Sequence, residues 1–364
     1  APILLSLVVA LAYWNGANDV SKGIATLAGS GVTKLKTAVW WGTLCTIAGA
    51  LTAALLAGKL VKAFSGSGLI ANLPEGHGFR LAVAVGAMAW VAIATLTRMP
   101  VSTTHSITGA LVGAGVALGG FGGLNWDRLV DKFVVPLAVS PLIALALMYF
   151  FFPLLSHAFA RFEKYCLCLE KTGMQTVGGP VAVMTAESTR LVAGSSADCA
   201  CEPAITHRLN LLDGLHWLSS GAVSFARGLN DAPKILGLGL AASLALDLSA
   251  QVSLLLVAAA MGLGSALGGL KVTETLALKV TPMTPVQGFS ANLVTAFLVI
   301  IASKMGVPVS TTHVSSSAII GMGLKRDAGS VNWKTVRDML LAWIVTLPVA
   351  ALISAGIVKL TVAP

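Results

Sequence analysis

Two short polar motifs, each present twice, carry the side chains best suited to chemistry. An Asn-Asp pair at 18–19 recurs at 230–231, and each copy has a lysine three residues after its aspartate. A Pro-Val-Ser-Thr-Thr-His hexapeptide at 100–105 recurs without change at 308–313. Carboxylates, ammonium groups and hydroxyls can together hold a small oxyanion or an inorganic cation. The sequence therefore predicts one polar site assembled from two related halves.

The Asn-Asp pairs lie in otherwise apolar surroundings, where polar groups are costly unless they line a cavity. Glycines flank the first pair, so we expect the helix to break in mid-membrane and free backbone N–H groups that attract an anion. Lys22 follows Asp19, and Lys234 follows Asp231, at a spacing that shares one helical face. Each lysine can pair with its aspartate or reach the anion. A helix cap at the membrane surface is the alternative, which the duplication disfavours.

The hexapeptides predict two turns, because proline ends a helix and Ser-Thr-Thr caps a new one. Their hydroxyls can donate to phosphate and can ligate a small cation through oxygen. The apolar runs 81–97 and 106–118 are long enough for the arms of a re-entrant hairpin with its tip near the bilayer centre. A Ser/Thr-rich turn outside the membrane is the alternative, which the duplication again disfavours.

His105 and His313 end the hexapeptides, and two roles stay open for them: a proton relay, or a hydrogen bond that locks the tip. Nucleophilic catalysis is disfavoured because no oxyanion-hole signature or third triad member accompanies the histidines. We therefore predict that the protein is not an enzyme and needs no cofactor. Gln287 and Asn292 are further polar candidates found only in the second half, so one half is expected to serve the ion more than the anion.

The composition points to a multi-pass protein of the cell membrane. Of 364 residues, 56% are hydrophobic and 11% are charged, whereas a soluble domain carries about 25% charged residues. Long uncharged runs are close to the roughly 20 residues that a helix needs to cross a bilayer; they are 37–58, 81–97, 248–270, 280–303 and 339–358. The formal charge of +9 is scattered, so we expect a lipid bilayer rather than a nucleic acid as partner.

The chain divides into a first membrane repeat (1–160), a polar extramembrane insert or loop (161–210) and a second membrane repeat (211–364). Internal duplication in a polytopic protein is typical of transporters that work by alternating access. An odd number of crossings in each half would make the repeats inverted. The insert contains two C-x-C pairs, Cys166 with Cys168 and Cys199 with Cys201. They indicate either a metal site, or ordinary thiols or a disulfide.

The two Asn-Asp motifs, at 16–20 and 228–232, and the paired hexapeptides resemble the inorganic phosphate transporter (PiT) family over about 11–150 and 211–360. The resemblance implies an all-α polytopic helical bundle of two inverted repeats with broken helices and two re-entrant hairpins. It also implies a symporter for inorganic phosphate driven by sodium or protons, often as a homodimer. The family's phosphate contacts would fall on Asn18, Asp19, Ser102, Thr103, Thr104, Asn230, Asp231, Ser310, Thr311 and Thr312.

The sequence departs from the family pattern at Lys22 and Lys234, where asparagine is expected. A tethered ammonium group beside the aspartate could take the place of a sodium ion at the Asp19 or Asp231 site, which would favour proton coupling. The candidates for coupling or charge balance are Asp19, Asp231, Lys22, Lys234, His105, His313, Gln287 and Asn292.

The choice between phosphate and sulfate depends on the aspartates. Phosphate keeps a proton at neutral pH and sulfate does not, so a carboxylate can accept a hydrogen bond from phosphate but repels sulfate. Asp19 and Asp231 therefore favour phosphate if at least one touches the anion. A sulfate permease of the same fold and an anion channel remain the alternatives.

Overall fold

The computed structural model describes residues 1–70, 77–172, 188–195 and 205–361. The first half is built from helices α1 (Pro2–Asp19), α2 (Ser21–Gly29), α3 (Leu35–Leu56), α4 (Gly58–Phe64), α5 (Gly78–Leu96), α6 (Thr103–Gly119), α7 (Trp126–Leu129) and α8 (Val135–Ala160), with a π-helical turn (Val130–Val134) before α8. The second half is built from α9 (Leu211–Ala245), α10 (Ala250–Gly268), α11 (Leu270–Leu278), α12 (Pro285–Met305), α13 (Thr311–Asp327) and α14 (Trp333–Thr361).

Seven helical segments in the described part of the chain are long and apolar enough to cross a membrane: Pro2–Gly29, Leu35–Leu56, Gly78–Leu96, Trp126–Lys164, Ala250–Gly268, Pro285–Met305 and Trp333–Thr361. Large apolar side chains remain exposed on the outer surface, for example Leu55 at 85% and Leu360 at 82%. A surface of this kind suits lipid rather than water. The prediction of a polytopic helical membrane protein is confirmed.

The insert between the halves contains a small antiparallel sheet, which the all-α prediction did not include. Its strands are β1 (Tyr165–Thr172), β2 (Ser188–Ser195) and β3 (Ile205–Asn210), in the order β2-β1-β3. Cys166 in β1 is disulfide-bonded, in agreement with the disulfide alternative. Cys199 and Cys201 lie outside the described residues. Among the residues that are described, no group of His, Cys, Asp or Glu side chains is arranged to hold a metal ion.

The two halves interlock through reciprocal helix pairs. Helix α1 of the first half packs on α10, and its counterpart α9 packs on α3. Likewise α6 packs on α14, and its counterpart α13 packs on α8. Each half therefore places the same elements against the other half, which is the contact pattern of two copies related by an approximate two-fold axis. The Asn-Asp motifs on α1 and α9 lie in these shared interfaces.

Glycines allow the interlocking helices to approach closely. A Cβ atom on Gly264 of α10 would overlap the carbonyl of Tyr13 on α1, and one on Gly16 would overlap the carbonyl of Met261. The counterpart pair α9 and α3 repeats this arrangement, with Gly228 against the carbonyl of Thr46. Small residues that bring helix backbones together are the usual packing device in lipid, where the hydrophobic effect does not drive helix association.

The two motif helices differ from each other at the expected mid-membrane break. Val20 separates α1 from α2, but it keeps right-handed helical angles (φ −56°, ψ −31°), and its N–H donates to the Gly16 carbonyl at 3.2 Å. Helix α9 runs without interruption through its motif, with Pro233 inside it. A proline removes one backbone hydrogen bond, and the buried turns on both sides keep this helix continuous. The first Asn-Asp pair therefore stands at a junction between two helices, where α1 ends and α2 begins, as expected, whereas the second pair lies in an unbroken helix, so the break predicted there is wrong.

The hexapeptides form the turns before α6 and α13, as predicted. Helix α5 ends ahead of the first proline, and Ser102 is the N-cap of α6, where its side chain accepts from the His105 N–H at 3.2 Å. Ser310 caps α13 in the same way, accepting from the His313 N–H at 3.2 Å. The first turns of α6 and α13 begin at these caps, and helix N-termini of this kind are suited to attract an anion.

A bulky residue at Gly264 should destabilise the protein, because it would push α10 away from α1. We expect Gly264→Val to lower the free energy of unfolding by about 1–3 kcal/mol, as overpacking commonly does. Thermal unfolding of the purified protein in detergent measures this effect. Gly356→Val on α14 is the matched control, since a Cβ at that position meets nothing within 4 Å. Equal melting temperatures for the two variants would contradict the close contact.

Candidate functional site

The two aspartates meet at the interface between the halves. Asp19 and Asp231 are buried, with 1% and 2% of their surface exposed. The side-chain amide of Asn15 donates to Asp19 Oδ2 at 2.9 Å and to Asp231 Oδ2 at 3.2 Å. The same amide lies 3.0 Å from Thr103 Oγ1, and that hydroxyl donates to Asp19 Oδ2 at 3.2 Å. One amide therefore links both carboxylates to the tip of the first hairpin.

Lys22 neutralises the aspartate of the first half. Its Nζ donates to Asp19 Oδ1 at 2.7 Å, to Asn18 Oδ1 at 2.7 Å and to the Asn18 carbonyl at 2.8 Å. All three protons of the ammonium group are thus directed at oxygen atoms. Carboxylate, amide and carbonyl oxygens are also the ligands that hard cations prefer. The ammonium group therefore occupies an oxygen-lined position of the kind that a small cation would use.

Lys234 repeats this arrangement in the second half but reaches across the interface. Its Nζ donates to Thr104 Oγ1 at 2.6 Å, to the Val309 carbonyl at 2.9 Å and to Asp231 Oδ1 at 3.3 Å. The lysine thus joins its own aspartate to both hexapeptides. Both lysines follow their aspartates at i+3, and of the two roles that this spacing left open, the ion pair with the aspartate is present in the structure.

The two hairpin tips cross and hold each other by reciprocal hydrogen bonds. The Thr104 hydroxyl donates to the Val309 carbonyl at 3.2 Å, and the Thr312 hydroxyl donates to the Val101 carbonyl at 2.8 Å. Each threonine is the fifth residue of its hexapeptide, and each valine is the second residue of the other. Thr311, next to Thr312, is also buried, at 2% exposure. The structure therefore brings together the motifs that are far apart in sequence.

Asn18 holds the hairpin of its own half in place. Its amide donates to Thr95 Oγ1 at 3.1 Å and to the Met99 carbonyl at 2.9 Å, and its Oδ1 accepts from the Val101 N–H at 3.2 Å. These contacts fix the segment that leads into the first hexapeptide.

Asn230 does the same in the second half, where it accepts from the Ser303 hydroxyl at 3.2 Å and donates to the Val309 carbonyl at 3.1 Å and to Asp231 Oδ1 at 3.0 Å. The side chains of Asn18 and Asn230 are thus engaged with protein groups, and they position the tips.

The two histidines stack behind the tips. The rings of His105 and His313 lie 4.2 Å apart between centroids, and His313 also stacks on Trp343 at 4.0 Å. Nδ1 of His105 lies 2.9 Å from Ser102 Oγ. Of the two roles left open by the sequence, the hydrogen bond that locks the tip is present at His105. Among the described residues, Nε2 of His313 has no hydrogen-bond partner.

The two polar candidates of the second half have other surroundings. Gln287 closes a capping box at the start of α12, where its Oε1 accepts from the Thr284 N–H at 2.8 Å and from Arg326 at 3.4 Å. Asn292 is buried, and its Nδ2 has no hydrogen-bond partner in the described part of the chain. The hydrogen bonds of Gln287 are those of a helix cap.

Two residues of the cluster were missed from the sequence, Asn15 and Arg227. They hold the same position in the two motifs, three residues before the Asn-Asp pair. Arg227 is fully buried, and it donates to Thr46 Oγ1 at 2.7 Å and to Ser265 Oγ at 3.2 Å. An arginine within an apolar helix is an unusual and costly choice. A charged residue in an otherwise apolar segment was therefore the signal in the sequence that could have identified Arg227.

The cluster is occluded and positively charged. The buried charged side chains of the described chain are Asp19, Lys22, Arg227, Asp231 and Lys234, each at most 2% exposed. Three cations face two carboxylates, so the cluster carries one net positive charge. The first turns of α6 and α13 add the positive ends of two helix dipoles. A desolvated site of this charge is suited to bind a small anion.

Comparisons with known proteins agree with this chemistry. Residues 15–354 match the phosphate transporter family. A Thermococcus kodakarensis protein named as a phosphate permease is 31% identical, over 98% of this chain and 97% of its own length. A Bacillus subtilis protein named as a low-affinity inorganic phosphate transporter is 29% identical, over 97% of this chain and 95% of its own length.

The fold also has a counterpart among solved structures. A structure described as the sodium-dependent phosphate transporter superposes with a TM-score of 0.77 and covers 98% of both chains, at 24% sequence identity. The likeness extends over both halves and the insert between them. Since the family match spans nearly the whole chain, both motif copies and the interface that joins them fall within it, and the chain belongs to the phosphate transporter family.

Proposed function

We propose that this protein is a secondary transporter that carries inorganic phosphate across the cell membrane together with a coupling cation. The observation that carries the proposal is the pair Asp19 and Asp231, one from each half, joined through Asn15 in an occluded interface. Family membership and the names of the relatives support phosphate as the substrate. The positive charge of the cluster supports an anion.

Phosphate is favoured over sulfate by the two carboxylates. Asp19 and Asp231 accept hydrogen bonds from neutral donors of Asn15 and Thr103. A protonated phosphate oxygen offers the same kind of donor and can take their place. Sulfate offers no proton at neutral pH, so it would leave a desolvated carboxylate facing an anion. Discrimination of this kind, based on buried polar groups left unpaired, can reach about 10⁴-fold.

Alternating access would follow from rocking of one half against the other. Two directional hydrogen bonds join the tips directly: Thr104 to the Val309 carbonyl and Thr312 to the Val101 carbonyl. Breaking these hydrogen bonds on one side would open the site to that side, while the glycine-packed helices stay together. In this scheme the repeats are inverted, the hairpins are re-entrant and the present structure is the closed state. The resemblance also implies a homodimer, and each of its two chains would contain one complete site of this kind.

The coupling cation is sodium or a proton. The ammonium groups of Lys22 and Lys234 occupy oxygen-lined positions beside the aspartates. A sodium ion cannot bind at these positions while the ammonium groups are there. His105 and His313 lie next to the tips, and an imidazole is the side chain that most often relays a proton. Phosphate uptake would depend on a sodium gradient in the first case and on a proton gradient in the second, so an experiment can distinguish the two ions.

Uptake of labelled phosphate into proteoliposomes tests the proposal. We expect accumulation above the outside concentration when a sodium or proton gradient is imposed, and collapse of that accumulation when an ionophore removes the gradient. Arsenate should compete and sulfate should not. Equilibration without accumulation would indicate a channel, and strong competition by sulfate would indicate a sulfate permease.

Asp19→Asn and Asp231→Asn should each reduce phosphate uptake to background, because either change removes a carboxylate from the shared site. Both variants should still be expressed and inserted, since asparagine has nearly the same shape. Asp338→Asn, at an exposed aspartate paired with Arg337, is the control and should transport normally. Normal uptake by either Asp19→Asn or Asp231→Asn would refute the site.

Lys22→Asn should change the ion dependence of uptake more than the affinity for phosphate. The variant loses the ammonium group that contacts Asp19 and keeps polar atoms nearby, so a free cation has to take its place. Uptake at a series of sodium concentrations and pH values measures the change. Lys36→Asn, at an exposed lysine, should leave the profile as it is. An unchanged sodium and pH profile for Lys22→Asn would count against the tethered cation.

A further inference from the structure

Among the described residues, Arg227 is the buried cation of the cluster that forms no ion pair with a carboxylate. Lys22 and Lys234 each form an ion pair with their own aspartate, at 2.7 Å and 3.3 Å. Within the described part of the chain, no carboxylate forms an ion pair with Arg227. The two Asp–Lys pairs are neutral, so the net positive charge of the cluster resides on this guanidinium.

The hydrogen bonds of Arg227 go to neutral oxygen atoms. Nη2 donates to the hydroxyls of Thr46 and Ser265, and Nη1 lies 3.4 Å from the Asn15 carbonyl. Among the described residues, Nε has no partner. Burying an unpaired charge is costly, and three neutral contacts do not replace a counter-ion. The guanidinium is therefore held in electrostatically unfavourable surroundings by the protein groups alone.

The position of Arg227 places this charge next to the aspartates. It lies one helical turn before Asp231 on α9, and i and i+4 share a face. Its Nη1 lies 3.4 Å from the backbone carbonyl of Asn15, the residue that joins the two carboxylates. Its counterpart in the first half, Asn15, contacts both carboxylates directly. The second half thus has a cation where the first half has a neutral amide.

We propose that Arg227 is the residue that balances the charge of the bound oxyanion. An anion with one negative charge in this interface neutralises the cluster and removes the penalty of the unpaired guanidinium. This inference rests on the proposed function and adds the residue that makes the site selective for anions. It assigns to Arg227 a role that the aspartates cannot perform, because they repel an anion unless a proton or a cation lies between.

Variants of Arg227 can distinguish a role in balancing the charge of the anion from a purely structural role. Arg227→Gln removes the unpaired charge and keeps an amide that can contact the Thr46 hydroxyl. We expect the empty protein to melt at the same temperature as the wild type or higher, and phosphate affinity to fall by about tenfold or more. Arg227→Lys keeps the charge and should bind phosphate more tightly than Arg227→Gln. Thr46→Val, which removes a contact of the guanidinium without changing any charge, should keep most of the affinity.

The test uses the full-length protein in detergent, with labelled inorganic phosphate binding and phosphate-dependent melting temperature as the two readouts. Wild-type affinity in Arg227→Gln would overturn the proposal, as would equal weakening by Arg227→Gln and Arg227→Lys. A marked loss of stability in empty Arg227→Gln, or failure of this variant to fold, would also overturn it, since the charge would then stabilise the empty protein. If the wild type itself neither binds nor transports phosphate, the proposed function fails first.

Discussion

The hydrogen bonds from Asn15 to Asp19 and Asp231 are the contacts on which the rest of the structure depends. They bring a carboxylate from each half within reach of one amide, at 2.9 Å and 3.2 Å, in a place without solvent. Two carboxylates so close would repel each other strongly at low dielectric. The interface is therefore stable only if cations and donors are supplied by the surrounding helices, and the duplicated motifs supply them.

This requirement explains why the same residue types occur in both halves. Each aspartate has a lysine at i+3. In each Asn-Asp pair, the asparagine holds the hairpin of its own half in place. The hairpins in turn are held by a threonine that donates to a carbonyl of the opposite tip. Every buried polar group in this set serves a neighbour that would otherwise be unpaired. In the proposed alternating-access scheme this network is closed, and the hydrogen bonds between the tips break when the site opens.

Much of the site could be predicted from sequence because its parts are local. The Asp–Lys spacing predicted the ion pairs of Lys22 and Lys234, and proline followed by Ser-Thr-Thr predicted the caps at Ser102 and Ser310. The partners across the interface could not be predicted, since they depend on how the halves pack. Helix continuity at Pro233 and the sheet in the insert were missed because tertiary contacts decided them over local preference.

The central claim is that the two halves together form one anion site. Equilibrium binding of labelled phosphate to the purified chain, with the protein concentration measured independently, tests it most directly. The account predicts saturation at one phosphate per chain, since neither half has a complete set of ligands alone. Saturation at two phosphates per chain, as expected for a separate site in each half, would contradict it.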